Sequence, residues 1–185
     1  MRRLNPKECA IVIIDVQEKL SAAMPEKALA DLVRAATVLL EAAHLLGARV
    51  LVTEQYPAGL GPTIAALAEP LAKAGAQKIE KLDFSACDEP LFERALLTNS
   101  PKTIIALGME SHVCVFQTVR ELCARGTDVY VPIDGVTSRR EDHKAAGLEL
   151  CRGAGATLST MESIVFDWLK RAGSEEFKRL SKLIR

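Results

Sequence analysis

Aromatic side chains make up only 4% of these 185 residues, which leaves few flat surfaces for stacking unpaired bases and argues against a single-stranded nucleic acid as partner. Charge of a dominant sign is also missing. The 24 basic and 24 acidic side chains cancel, so no overall field draws the chain toward a polyanion or an anionic membrane surface. No apolar stretch is long enough to cross a bilayer. The N-terminal apolar run follows Arg2, Arg3 and Lys7, but it is short and ends in Asp15, which is wrong for a secretory signal. The five cysteines, Cys9, Cys87, Cys114, Cys123 and Cys151, are odd in number and nowhere tightly spaced. They suggest neither a disulfide framework nor a thiolate zinc site, and read most simply as reduced thiols in a cytoplasmic protein. Two enzyme fingerprints are absent as well. Asp15-Val16-Gln17-Glu18 stands where a dinucleotide-binding chain would carry its glycine-rich turn, and no Gly-x-Ser-x-Gly elbow occurs.

What is present is a β-α repeat. Short runs at 9–15, 48–53, 77–80, 103–107, 128–132 and 156–159 alternate with longer helical patterns, and the length fits a single domain over 1–185. The best strand candidates are continuous Val/Ile/Leu runs rather than alternating ones, as expected of parallel strands covered by helices on both faces. Pro25 to Leu46 has helical periodicity and stops at Gly47; Ser111 to Arg125 does the same and stops at Gly126. Thr53 to Gly61 has loop composition directly after a strand, a position that predicts pocket lining. The tail from Ser174 to Arg185 reads as an amphipathic helix with Phe177, Leu180, Leu183 and Ile184 as its apolar residues, packing either on its own domain or on another subunit.

Cys114 stands out. It follows the run Thr103 to Leu107 and the turn Gly108-Met109-Glu110, and it lies at the start of an apolar helix, where unpaired N–H groups and the helix dipole stabilise a thiolate and can hold an oxyanion. A cysteine so placed is still more often a small packed hydrophobe than a nucleophile. Asp15, closing the run Ile11 to Ile14, could cap a turn or the next helix. Lys81, closing a weaker strand, would by itself be a solvated charge.

Taken together, the segments Ile13-Ile14-Asp15-Val16-Gln17, Lys81-Leu82-Asp83-Phe84-Ser85-Ala86, Gly108-Met109-Glu110-Ser111-His112-Val113-Cys114-Val115 and Ile133-Asp134-Gly135-Val136-Thr137-Ser138-Arg139 resemble the isochorismatase-like cysteine hydrolases. The segments Val52 to Pro57, Gly59 to Pro62 and Leu158 to Thr160 are similar to its isochorismatase-domain-containing branch. The resemblance implies a three-layer αβα sandwich around a six-stranded parallel sheet of order 3-2-1-4-5-6. In that order the strands before Asp15 and Cys114 are neighbours at the switch point where ligands gather. It further implies a Cys114, Asp15 and Lys81 triad, a cis peptide at Met109–Glu110, and an oxyanion hole at the turn formed by Met109, Glu110 and Cys114.

On this reading Asp15 is the base, Cys114 the nucleophile of a thioester mechanism on an amide-like substrate, and Gln17, Tyr56, Phe84 and His112 line the substrate pocket. Nicotinamidases of the superfamily hold a metal with an aspartate and histidines after the second strand. Glu54-Gln55-Tyr56-Pro57 supplies no histidine there, so neither metal nor other cofactor is expected. His44 and His143 read as surface or interface residues, Cys87 as a rival thiol behind Cys114, and Cys9, Cys123 and Cys151 as packing. Asp134 and Arg139 are expected to pair and secure their loop, and Glu110 either lies at the surface or orients its turn. The partners expected are a small-molecule substrate and further copies of the chain, as dimer or tetramer, with no nucleic acid and no membrane. The competing reading is a catalytically silent interaction domain of the same fold.

Overall fold

The computed structural model describes residues 3–98 and 100–184; the expectations touching Arg2 and Arg185 lie outside the described residues. Among them, the chain runs β1 (Cys9–Ile14), α1 (Glu18–Ser21), α2 (Glu26–Leu46), β2 (Arg49–Gln55), α3 (Pro57–Leu60), α4 (Ala68–Lys73), β3 (Gln77–Lys81), α5 (Pro90–Leu97), β4 (Thr103–Met109), α6 (Phe116–Ala124), β5 (Asp128–Pro132), β6 (Val136–Thr137), α7 (Glu141–Gly153), β7 (Thr157–Ser159), α8 (Met161–Leu169) and α9 (Glu175–Ile184). The strands form one parallel sheet in the order β3-β2-β1-β4-β5-β7. This is the expected order. The two-residue β6, too short to register as a strand in the sequence, adds a seventh by pairing with β4.

Burial follows from position in the sheet. Every residue of β1 and β4 is buried, because each is flanked by a strand on both sides and by helices on both faces. The edge strand β3 instead buries only Ile79 and Lys81, two residues apart and therefore on one face. Its last inward position is thus a lysine. Helix α2 ends at left-handed Gly47 (φ 79°) and packs with α4, α8 and α9, while α6 packs with α7 and the short 3-10 turn Ala86–Asp88. Right-handed crossovers that leave β1 and β4 in opposite directions put these groups on opposite faces of the sheet. Helix α9 lies on its own chain, its Leu180 fully buried against the core, which decides the alternative left open for the tail.

The segment from Thr53 to Gly61 is not a long loop. Strand β2 continues through Gln55, and Pro57–Leu60 makes a helical turn. Polar Glu54 and Gln55 are tolerated in a buried strand end because their side chains are paired. Glu54 Oε1 accepts from the N–H and hydroxyl of Thr63, both at 2.8 Å, and the Gln55 amide accepts from Lys81 and donates to Leu82 O, while Gln17 bonds the Gln55 backbone.

At the switch point β1 and β4 run side by side, Ile14 opposite Gly108. Gly108 has φ 131°, and a Cβ there would lie 2.0 Å from the carbonyl oxygen of Ile14. Only glycine permits that approach. It brings the ends of the two strands, and the residues just beyond them, to one place.

Candidate active site

Asp15 follows β1 with φ 54°, a left-handed conformation that aspartate tolerates better than most residues. Its carboxylate is fully buried. Oδ1 accepts from the Thr53 hydroxyl at 2.7 Å and Oδ2 from Lys81 Nζ at 2.7 Å, with neither side chain of the ion pair exposed. Lys81 also donates to Gln55 Oε1 at 2.6 Å and meets the carbonyls of Asp83 (3.2 Å) and Phe84 (3.1 Å). Surrounded by four oxygens, the ammonium has no hydrogen left for another partner. Gln55 is fixed in turn, its Nε2 donating to Leu82 O at 2.6 Å.

Cys114 lies in a π-helical turn, Ser111–Val115, that precedes α6, so the expected helix start is a widened turn rather than a regular one. The Met109–Glu110 peptide bond ahead of it is cis. Cys114 is 6% exposed. Its thiol is pushed up to about 12, chiefly by burial, with the Asp15 carboxylate contributing by charge and by a hydrogen bond, Lys81 opposing, and Glu110 adding a smaller rise. The resting thiolate anticipated from the helix start is therefore corrected. Lys81 is paired with Asp15, and the thiol lies beside both, the carboxylate raising its pKa and the ammonium lowering it.

The remaining expected residues divide. Tyr56 and Phe84 are each 54% exposed, and both are tied by backbone to Lys81: the Tyr56 N–H donates to Lys81 O at 2.8 Å, and Phe84 O receives Nζ. Gln17 does not face a ligand. It is fully buried, its Nε2 donates to Gln55 O (3.0 Å) and Gly61 O (2.6 Å), and its Oε1 accepts from the Gln55 N–H (2.7 Å), so it braces the end of β2. His112 is half-buried, its Nδ1 3.0 Å from Ser138 Oγ. Burial lowers its pKa, with Glu110 opposing and His143 and Arg139 adding to the fall.

His143 is not a simple surface histidine, because its ring packs on His112 with centroids 4.6 Å apart. His44 is exposed on α2, as expected. Asp134 and Arg139 do not pair. Asp134 accepts from the Met161 N–H at 2.9 Å at the start of α8, while Arg139 binds Glu110 through its backbone N–H (3.0 Å) and its Nε (3.1 Å to Oε2). Glu110 is accordingly buried, and it orients the turn; burial works to raise its carboxyl, but the bonds from Arg139 outweigh that and hold it below its ordinary value. Cys87 sits against α6 with its sulfur 3.9 Å from Thr118 O, its thiol pushed up to about 12 by burial.

Thr53, Gln55 and Ser138 are site residues that sequence reasoning did not single out. Ser138 accepts the Ser111 N–H at 3.1 Å, lies 2.6 Å from Ser111 Oγ, and contacts His112, so it anchors the front of the cysteine turn. The polar run Thr53-Glu54-Gln55 at a buried strand's carboxyl end was the available signal for the first two. Among the described residues no group of three or more His, Cys, Asp or Glu side chains could hold a metal ion, and Glu54 is already committed to Thr63 and to Lys78 at 3.2 Å. The donor set does not fit the nicotinamidase metal.

Residues 9–163 match the family model described as the isochorismatase domain. The chain belongs to the isochorismatase-domain family. Among curated members it is 36% identical over 186 residues to the secreted isochorismatase effector Isc1 of Phytophthora sojae, covering 99% of this chain and 87% of that protein. It is 32% identical over 186 residues to isochorismatase domain-containing protein 2 of Bos taurus, covering 99% and 86%. Among solved structures, the MAR1 ribonuclease of Caenorhabditis elegans superposes with TM-score 0.90 at 34% identity, covering 99% of this chain and 92% of that one. A cysteine hydrolase of Pseudomonas syringae pv. phaseolicola shares the fold, with TM-score 0.77 at 19% identity, covering 92% of this chain and 96% of that one.

Proposed function

We propose that this protein is a metal-independent cysteine hydrolase that cleaves a C–N bond in a small amide-like substrate, with Cys114 as nucleophile, Asp15 as acid and base, and Lys81 as the charge that holds Asp15. The observation that carries the reading is the fully buried Asp15–Lys81 pair at 2.7 Å beside the Cys114 thiol. Because the thiol rests protonated, attack and proton transfer are coupled. Asp15 takes the S–H proton as sulfur bonds to the carbonyl carbon, and the carbonyl π electrons move onto oxygen. The oxyanion returns its electron pair, the C–N bond breaks, and Asp15 passes the proton to the departing nitrogen, leaving a thioester. Water then attacks the thioester, gives its proton to Asp15, and sulfur leaves and recovers that proton.

The cysteine turn, with Met109, Glu110 and Cys114, is the proposed oxyanion site. Its Ser111 N–H is bonded to Ser138 and those of Val113 and Val115 to Glu110 O, at 3.0 and 3.3 Å, and the donor proposed is the Cys114 N–H, on the nucleophile itself. Tyr56, Phe84 and His112 are the proposed pocket contacts. A small molecule rather than nucleic acid suits a chain of zero formal charge. A cytoplasmic setting fits five free cysteines. The apolar surface formed by Phe116, Ala146 and Leu150 on α6 and α7 supports assembly of several copies.

Ammonia release from a panel of small amides, ureides and imides, with Cys114→Ala as control, tests the reading. Turnover abolished in the variant is expected; turnover that survives it overturns the mechanism. The second reading, a silent interaction domain, draws on the burial of Cys114 and its thiol pushed up to about 12. It predicts no turnover across the panel by the unsubstituted protein.

A further inference from the structure

Thr118 is a fully buried polar residue that the mechanism above does not use. Its hydroxyl donates to Cys114 O at 2.7 Å, four residues back along the helix. A buried threonine often makes that local bond. Thr118 Oγ1, however, also accepts the N–H of Ala86 at 2.9 Å, and Ala86 belongs to another element, the turn that follows Lys81.

That turn carries the ammonium's backbone acceptors. Phe84 O and Asp83 O both receive Lys81 Nζ, and two residues after Phe84 the chain is held by Thr118. A parallel tie lies beside it: Ser85 Oγ, itself buried, donates to Glu121 Oε2 at 3.0 Å one helical turn further along α6. The path from ammonium to nucleophile is therefore short and continuous, running from Lys81 Nζ to Phe84 O, along the backbone to the Ala86 N–H, and through Thr118 Oγ1 to Cys114 O. Asp15 links Lys81 to the Cys114 thiol directly, and Thr118 adds a second link, from α6, between the backbone of the turn after Lys81 and the backbone of the cysteine turn.

We propose that Thr118 is a positioning residue, which fixes the carbonyl cage of Lys81 relative to the Cys114 turn and so sets how strongly the ammonium acts on the thiol. The inference rests on Cys114 being the reactive thiol, as in the hydrolase reading. It goes beyond that reading by assigning the geometry to a hydroxyl on α6 rather than to the triad alone.

The test is the pH profile of Cys114 alkylation by iodoacetamide, followed by peptide mapping, which needs no substrate. Thr118→Val keeps the shape and removes both bonds; the profile is expected to move to higher pH, with the rate at pH 8 falling at least about threefold. Thr118→Ser restores the hydroxyl and is expected to restore the profile. Thr37→Val removes a comparable within-helix bond, from Thr37 Oγ1 to Val33 O at 2.8 Å on α2, and is expected to leave the profile unmoved. A loss of folded protein alone would lower the amplitude without moving the profile.

Ser85→Ala cuts the parallel tie and is expected to give a smaller shift in the same direction. An unmoved profile in a folded Thr118→Val overturns the proposal, and so does an unmoved profile in Ser85→Ala if the valine variant does not fold. Failure of the hydrolase reading looks different: turnover survives Cys114→Ala while the alkylation profile still responds to Thr118.

Discussion

Ile14 and Gly108 meet backbone to backbone at the centre of the sheet, so closely that a methyl group on Gly108 would overlap the Ile14 carbonyl oxygen. Gly108→Ala must therefore push β4 away from β1 and leave the positive-φ conformation at once. A loss of about 3–5 kcal/mol of stability is expected, read from the urea midpoint. A midpoint within experimental error of the parent would contradict the close approach.

Lys81→Met leaves the Asp15 carboxylate buried with the neutral Thr53 hydroxyl and Cys114 thiol as its partners, and a cost of about 3–5 kcal/mol follows from the uncompensated charge. Pairing it with Asp15→Asn removes both charges, so the double variant is expected to recover much of that stability while remaining inactive. Thermal unfolding and ammonia release, measured on the three variants, separate the pair's structural part from its chemical one.

Stability should fall on the alkaline side. Cys9 is pushed up to about 11, and Cys87, Cys114 and Cys151 to about 12, from an ordinary value of 9.0, each chiefly by burial. In the unfolded chain these thiols ionise near 9, whereas in the folded chain they stay protonated. Their contribution is complete below pH 9.0 and is lost as pH rises toward 11 to 12. Urea midpoints from pH 8 to 11 should decline, and less steeply in Cys87→Ala and Cys151→Ala. A decline of equal slope in those variants would count against buried thiols as its source.

The acid side has a different origin. His112 is held below its ordinary 6.5, first by burial, so it stays neutral in the fold while the unfolded chain takes up a proton. Its contribution is present above pH 6.5 and is lost as pH falls. Ser138→Ala, which removes the hydroxyl beside Nδ1 and the acceptor of the Ser111 N–H, should lower stability by about 1–3 kcal/mol. Proton NMR titration of the His112 ring is the direct check: a midpoint at or above 6.5 would refute the depressed value.

Much of this architecture was legible in the residues. Continuous apolar runs marked β1 and β4, and helical spacing marked α2 up to its terminal Gly47, because burial on two faces or on one stripe leaves a local signature. The boundaries of polar strand ends were not legible. Glu54 and Gln55 look like loop residues until Thr63, Gln17 and Lys81 are seen to pair with them. The pairing of Arg139 with Glu110, in place of the nearby Asp134, had no local signal either, since Glu110 is 29 residues away in the chain and only the fold brings it to Arg139.

Amino-acid order alone determined the alternation of strand and helix, and with it a parallel sheet whose carboxyl ends carry Asp15, Lys81 and Cys114. Those are properties of short stretches, set by periodicity and by which residue follows each apolar run. Tertiary structure alone decided the burial that raises the Cys114 thiol, the cage of oxygens around Lys81, and the link through Thr118. Each depends on desolvation and on hydrogen bonds between segments far apart in the chain, which act only once the sheet has brought β1, β3 and β4 together.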